Sequence, residues 1–205
     1  MYVAKIDENW KPIAATEHFV PCDTLLLSVG LIPENELSKK IGVALSPITG
    51  GAVVNNRLET TVPGVFACGN VLHVHDLVDH VTLEAYEAAA HAVRFVQGAG
   101  FDKNDKGDLR VGLDQTDKGL EGAAIPVKTL AGVRYTVPSF ILPGSAGLYN
   151  LSFRSDKVYA PGIVKVLADG EVVKTAKKRV IVPSEMEKIE FELKTPAGEI
   201  TISIE

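Results

Sequence analysis

Cysteine, tryptophan and long apolar runs are scarce in this 205-residue chain, and each scarcity excludes something. Cys22 and Cys68 are the only cysteines and lie far apart. With no Cys-x-x-Cys there is no local dithiol pair and no zinc-knuckle spacing. Two cysteines in a chain of this size do not make a disulfide framework, so a reduced, cytoplasmic setting is expected. No apolar run approaches a membrane-crossing length of about 18 residues. Met1-Tyr2-Val3-Ala4-Lys5 lacks the basic segment and apolar stretch of a signal peptide. Positive charge is not in excess either. The net charge is −5, which speaks against general affinity for nucleic acid or anionic membrane. The spacing Gly-x-Gly-x-x-Gly, which cradles a dinucleotide pyrophosphate, occurs nowhere.

What is present suits a globular protein with a core: 46% of residues are hydrophobic and 23% charged. Residues 1–122 carry 10 Lys+Arg against 17 Asp+Glu, whereas 123–205 carry 11 against 9. Two segments of different character are therefore expected. In the first, residues 3–6, the turn Asp7-Glu8-Asn9 and an extended piece to residue 20 predict a β-hairpin. The apolar run 24–29, closed by Gly30, predicts a strand buried on both faces. Pro33-Glu34-Asn35-Glu36-Leu37 opens a short helix that Gly42 ends. Residues 52–55 and 65–67 predict further strands. A long helix is predicted over 82–97, with Thr82 as N-cap, alanines at 88, 89, 90 and 92, and a stop at Gly98 and Gly100.

Residues 101–122 are charged and Gly-rich and supply the linker. Their Asp102-x-Asn104-x-Lys106-Gly107 follows a calcium loop only faintly, because Lys106 and Leu113 stand where oxygen ligands are needed. Beyond residue 127, seven short segments (133–138, 148–153, 163–167, 171–174, 179–182, 189–193 and 199–204) predict strands, and Asp169-Gly170 predicts a hairpin turn. The expected architecture is α/β over 1–104, a linker over 105–122, and an all-β immunoglobulin-like sandwich over 123–205.

The chain is organised around Thr60-Thr61-Val62-Pro63-Gly64-Val65-Phe66-Ala67-Cys68-Gly69-Asn70. A strand that ends on glycine and feeds a helix is a place to hold a phosphate or a cofactor tail. The stretch resembles the second FAD-binding motif of the flavin-dependent pyridine nucleotide-disulfide oxidoreductase superfamily: Thr, two or three residues, then Gly-Val-Phe/Tyr-Ala-x-Gly-Asp. Upstream, Asp23-Thr24-Leu25-Leu26-Leu27-Ser28-Val29-Gly30-Leu31-Ile32-Pro33 resembles that family's return from its NAD domain to its FAD domain. Order and spacing agree, as does the Ala-rich helix, over residues 1–100.

The resemblance implies that Gly69, Asn70, Val81, Thr82 and Leu83 contact FAD. Asn70 stands where the family has an acid. Its carbonyl can still accept a hydrogen bond from a ribitol hydroxyl, and losing the charge removes repulsion from the phosphates. The start of the 82–97 helix would lie near the flavin's pyrimidine edge, and nearby backbone N–H groups would face the pyrophosphate. NAD(P) is the second cofactor implied. The absent glycine fingerprints would belong to polypeptide upstream, so the chain is expected to be the C-terminal part of a larger flavoprotein, cut within its NAD domain. Alone it would bind no FAD stoichiometrically and would be inactive. Its expected partner is the missing N-terminal region or a partner subunit, and the orphan strands of its first 30 residues would pair across a homodimer. Substrate, electron acceptor and catalytic residues are not implied.

A second constellation competes. His73-x-His75-Asp76-x-x-Asp79-His80 concentrates imidazoles and carboxylates that suit zinc or iron. It is similar to the His-x-His-x-Asp-His run of metallo-β-lactamase-like hydrolases, but two residues longer before the final Asp-His, and only His91 follows. On that reading His73, His75, Asp79 and His80 serve a metal-dependent hydrolase. On the flavoprotein reading no metal is expected, and one of His73, His75 or His80 is a proton relay. A third reading is a non-catalytic interaction module that docks a partner through its β-sandwich. Both cysteines read as structural, and the basic run 174–179 as a solvated strand edge.

Overall fold

The structure is a computed structural model that describes all residues except 10, 29, 99–101, 104–108, 111–123, 143–146 and 196. The backbone divides into two units, residues 1–31 and 32–205.

In the first unit, β1 (Tyr2–Val3) pairs antiparallel with β2 (His18–Phe19), and the rings of Tyr2 and Phe19 stand 5.2 Å apart. Ile6 bridges Pro12. The Asp7 carboxylate accepts the N–H groups of Asn9 and Lys11 at 2.8 and 2.9 Å, closing the predicted turn. The strand predicted over 24–29 does not form. Residues 24–28 are irregular, and Leu25, Leu26 and Leu27 are 54%, 91% and 70% exposed. A strand buried on both faces needs partners on either side. The one ladder among this unit's described residues is β1–β2, which supplies none.

The second unit opens with α1 (Glu36–Lys40), carrying Glu36 in its first turn and Lys39 and Lys40 in its last, as the helix dipole favours. Residues 43–67 follow as irregular chain. The strands predicted at 52–55 and 65–67 are reduced to single bridges, Leu45 with Ala52, Val54 with Thr60 and Glu59 with Phe66. Reversals at Gly50, Leu58 and Gly64, all at positive φ, come too often for a ladder to extend. Then α2 (Val78–Gly98) begins four residues ahead of the predicted helix. Thr82 is not its cap: the Thr82 hydroxyl donates to the Val78 carbonyl one turn back, at 3.1 Å. The helix buries a narrow stripe, Glu84 and Ala88 fully and Val81, His91 and Phe95 in part, while Leu83, Tyr86, Val93 and Val96 stay exposed.

Short strands β3 (Asp102–Lys103) and β4 (Leu109–Arg110) pair antiparallel. The rest of the expected linker, and Asn104, Lys106, Gly107 and Leu113 of the calcium-like stretch, lie outside the described residues.

Eight strands follow: β5 (Ile125–Thr129), β6 (Val133–Val137), β7 (Phe140–Ile141), β8 (Gly147–Ser155), β9 (Gly162–Ala168), β10 (Glu171–Lys178), β11 (Glu187–Leu193) and β12 (Ile200–Ile204). One sheet has the order β10-β9-β12-β5-β7 and the other β11-β8-β6. The pairing of β12 with β5 is parallel and the rest are antiparallel. Alternating residues of both sheets, among them Ile125, Val166 and Ile202 from one and Leu151, Phe153 and Phe191 from the other, fill a common core. Asp169 and Gly170 turn the β9–β10 hairpin at φ 49° and 86°, as Asp-Gly predicts. The predicted strand at 179–182 is only a bridge between Tyr159 and Ile181, because Pro183 removes the next ladder donor. The basic run lies largely on β10, an exposed edge strand.

The register of β6 on β8 slips between Val133 and Tyr135. Such a bulge re-aims the side chains beyond it. Val133 joins the core between the sheets, whereas Tyr135 and Val137 join a second core with Val43, Ala52, Val54, Leu58, Leu72 and Ala88. Two hydrogen bonds extend this seam: Ser139 N–H to the Val54 carbonyl at 3.0 Å and Leu142 N–H to Asn56 Oδ1 at 2.9 Å. No helix among the described residues is long and apolar enough to cross a membrane.

Candidate functional site

The stretch 60–70 folds back on itself as a ledge. Thr60 N–H donates to the Val65 carbonyl, Ala67 N–H to the Leu58 carbonyl, and Gly64 N–H to Glu59 Oε1. Gly69 follows at φ +71° and opens a 3-10 turn, Gly69–Val71. A Cβ at Gly69 would stand 3.2 Å from Val81 Cγ1, so the ledge rests on the first turn of α2 and glycine permits both the left-handed backbone and the close approach. Asn35 clamps the far side, donating from Nδ2 to the carbonyls of Gly50 and Val71 at 2.9 and 2.7 Å.

Of the five residues implied for FAD, Gly69 and Val81 are thus brought together. Asn70 is exposed beside them. Its Oδ1 accepts the His75 N–H at 3.0 Å, and a carboxamide oxygen keeps a second lone pair for another donor. Thr82 and Leu83 are exposed on α2. Because α2 starts at Val78, its positive end lies a turn ahead of the expected position. The Gly69 N–H is committed inward, to the carboxylate of Glu84 at 2.5 Å.

Glu84 is the residue that sequence reasoning passed over. It sits on the buried stripe of α2, 7% exposed, facing the loop that follows the ledge. There His73 Nε2 lies 2.7 Å from Glu84 Oε1 and His75 Nε2 lies 3.0 Å from Glu84 Oε2. The two imidazoles pack edge to face at 4.5 Å, and both side chains are almost wholly buried. Burial alone would raise the Glu84 carboxyl, but the bonds from His73 and His75, with that from Gly69, bring it down to about 2. The Nδ1 atoms of both histidines are buried without a partner. Of the competing constellation, then, His73 and His75 converge, but on Glu84; Asp79 is exposed and His80 half-buried, outside the group. A helix begun at residue 78 would have placed Glu84 on the inner stripe with Val81 and Ala88, the one sequence signal available for it.

Asp76 turns the other way. Its Oδ1 accepts Arg154 Nη2 at 2.5 Å and its Oδ2 accepts the Met186 N–H at 2.6 Å. Arg154 also donates to the Val74 carbonyl, the Tyr135 hydroxyl and the Pro183 carbonyl at 3.0, 3.1 and 3.3 Å. Although partial burial opposes ionisation, the bonds from Arg154 and Met186 hold Asp76 below its ordinary range. The loop carrying the histidines is thereby fixed to β6, β8 and the segment before β11. Burial and then the Glu84 charge push the Cys68 thiol up, away from the reactive thiolate. Both cysteines are free.

Residues 3–94 match the family described as pyridine nucleotide-disulphide oxidoreductase. Over 79 residues the chain is 29% identical to a ferredoxin–NADP reductase from Picrophilus torridus, an alignment covering 36% of this chain and 24% of that protein. Over 54 residues it is 44% identical to a dihydrolipoyl dehydrogenase from Manduca sexta, covering 25% of this chain and 11% of that protein. The alignments thus span 24% and 11% of the length of these curated relatives. No solved structure matches the chain. Through residues 3–94 the chain is similar to the pyridine nucleotide-disulphide oxidoreductase family.

Proposed function

We propose that this chain supplies the second FAD-binding motif of an FAD- and NAD(P)-dependent oxidoreductase and works only with polypeptide that carries the first. FAD and NAD(P) are the cofactors that the family implies. The observation that carries the reading is the ledge: Gly69 at positive φ seated on Val81, with Asn70, Thr82 and Leu83 exposed around it. These residues fit one edge of a bound FAD. Asn70 keeps a lone pair for a hydroxyl, Thr82 offers a hydroxyl and Leu83 an apolar surface. Bound there, FAD supplies two-electron transfer between a nicotinamide and a second acceptor.

Support for a missing complement comes from exposed apolar surface. Leu25, Leu26, Leu27 and Leu31 in the first unit, and Leu83, Tyr86 and Val93 on α2, are each more than half exposed. Uncovered surface of that kind marks an interface. The occupant we assign is the N-terminal flavoprotein region, upstream or as a partner subunit, with pairing of the first unit's strands in a homodimer as the alternative to be read by light scattering.

In this reading residues 1–104 are the oxidoreductase region, 105–122 a linker and 123–205 an immunoglobulin-like sandwich; the two sheets with a common core support the last. The two free cysteines support a cytoplasmic setting.

The test is spectroscopic. The purified chain, incubated with FAD and desalted, is expected to be colourless and to lack diaphorase activity. Co-expression with an upstream Gly-x-Gly-x-x-Gly region is expected to give a yellow complex. Stoichiometric flavin retained by the chain alone would overturn the claim that it needs a complement, and a colourless complex would overturn the flavin assignment.

A further inference from the structure

The buried group of His73, His75 and Glu84 is not required by a flavin site, and nothing in the family resemblance calls for it. We propose that these three residues form a binding site for a single first-row divalent transition metal ion of the zinc class. Two imidazoles and one carboxylate are the protein ligands of many tetrahedral zinc sites and of facial iron(II) sites, each of which leaves a position for water or substrate.

The donor geometry supports the assignment. The Nε2 atoms lie 2.7 and 3.0 Å from the carboxylate oxygens, and all three donors fall within 4.8 Å of one another. Around an ion with bonds of about 2.0–2.2 Å, tetrahedral ligands stand about 3.3–3.6 Å apart. The separations present bracket that value, so side-chain adjustment alone admits the ion. The carboxylate already has an outer partner that fixes its orientation, the Gly69 N–H at 2.5 Å; hydrogen bonding of this kind is typical of the shell around a metal ligand. Three ionisable side chains are buried together where apolar ones of similar volume would pack at less cost. The ligands also come from two elements, the loop after the ledge and the inner stripe of α2. Metal binding would therefore lock the ledge to the helix whether or not flavin is bound, and the assignment does not depend on the flavin reading.

The experiment uses the full chain, stripped with a chelator and dialysed. Calorimetric titration with Zn2+ is expected to give one tight site per chain, and Co2+ a visible ligand-field spectrum, while Mg2+ and Ca2+ give neither. At about 100-fold excess over Kd, Zn2+ is expected to raise Tm by about 5–10 °C. Glu84→Gln and His75→Asn are expected to abolish the site, and His80→Asn and Asp79→Asn to leave it intact. If Glu84→Gln fails to fold, the wild-type titrations decide by themselves. Absence of stoichiometric Zn2+ and Co2+ binding by the wild-type chain overturns the proposal, as does binding that follows His80 or Asp79 instead of Glu84.

Discussion

Cutting the link between Asp76 and Arg154 tests how firmly the ledge side of the molecule is joined to the sheets. The Asp76 side chain is 31% exposed and that of Arg154 11%, so the pair lies between two regimes. An exposed pair is worth about 0–1 kcal/mol, whereas stranding one member of a buried pair costs about 3–5 kcal/mol. In Asp76→Ala the guanidinium keeps three acceptors, Tyr135, Val74 and Pro183, and is not stranded. The Met186 N–H, however, loses its acceptor, which costs about 1–3 kcal/mol for a buried donor. With about 1 kcal/mol for the partly screened pair, Asp76→Ala should destabilise by about 2–4 kcal/mol, lowering Tm by about 4–16 °C in a unit of this size. Asp76→Asn retains an acceptor for Met186 and should lose about half as much. Arg154→Met keeps the apolar stem and leaves Asp76 with Met186 alone. The double variant Asp76→Ala/Arg154→Met should then show a coupling of about 1–1.5 kcal/mol in urea unfolding. Additivity within about 0.3 kcal/mol would refute the reasoning. So would two separate transitions, one for each side of the seam, in the wild type.

Three further outcomes follow from the packing and charge. A Cβ at Gly51 would fall 1.5 Å from the Leu72 carbonyl oxygen; Gly51→Ala should force backbone apart and cost about 3 kcal/mol or more, read as loss of the cooperative melt. Gly170→Ala, in the hairpin turn at φ 86°, should cost about 1–2 kcal/mol without altering the rest of the fold, checked by Tm and far-UV circular dichroism. Burial, with Arg94 and Arg57, holds His91 below the ordinary histidine range. Because the folded value is depressed, its contribution to stability is full above about pH 6.5 and lost as pH falls toward the folded value. Titration by NMR should place His91 low and Arg94→Gln should move it up; an unchanged His91 in that variant would contradict the electrostatic account.

Local chemistry was legible wherever a few adjacent residues decide it. Asp7 closing its own turn, Asp169-Gly170 reversing the hairpin, and Gly69 ending the ledge each act within a handful of atoms. Periodicity also placed most of the β segments after residue 127. What was not legible depends on distant neighbours. The run Leu25-Leu26-Leu27 has the composition of a buried strand, but composition cannot supply the strands beside it. Ala52 to Asn55 has strand character, yet the reversals around it leave only bridges. The start of α2 was set four residues late because Thr82 resembles a cap, and that shift concealed Glu84 as a partner of His73 and His75. Arg154 and Asp76, 78 residues apart, carried no sequence signal of their meeting.

The bulge in β6 has a consequence for how this protein responds to being cut or rebuilt. One five-residue strand serves as a party wall, with Val133 facing one room and Tyr135 and Val137 the other. Removing residues 123–205 as if they were a detachable appendage would open Leu72, Val54 and Ala88 to water. Grafting them onto another protein would leave Tyr135 and Val137 bare. Gene fusions, truncations and homologue swaps that respect the composition boundary near residue 123 are therefore expected to yield aggregating halves, and those that carry residues 32–205 intact to yield stable protein.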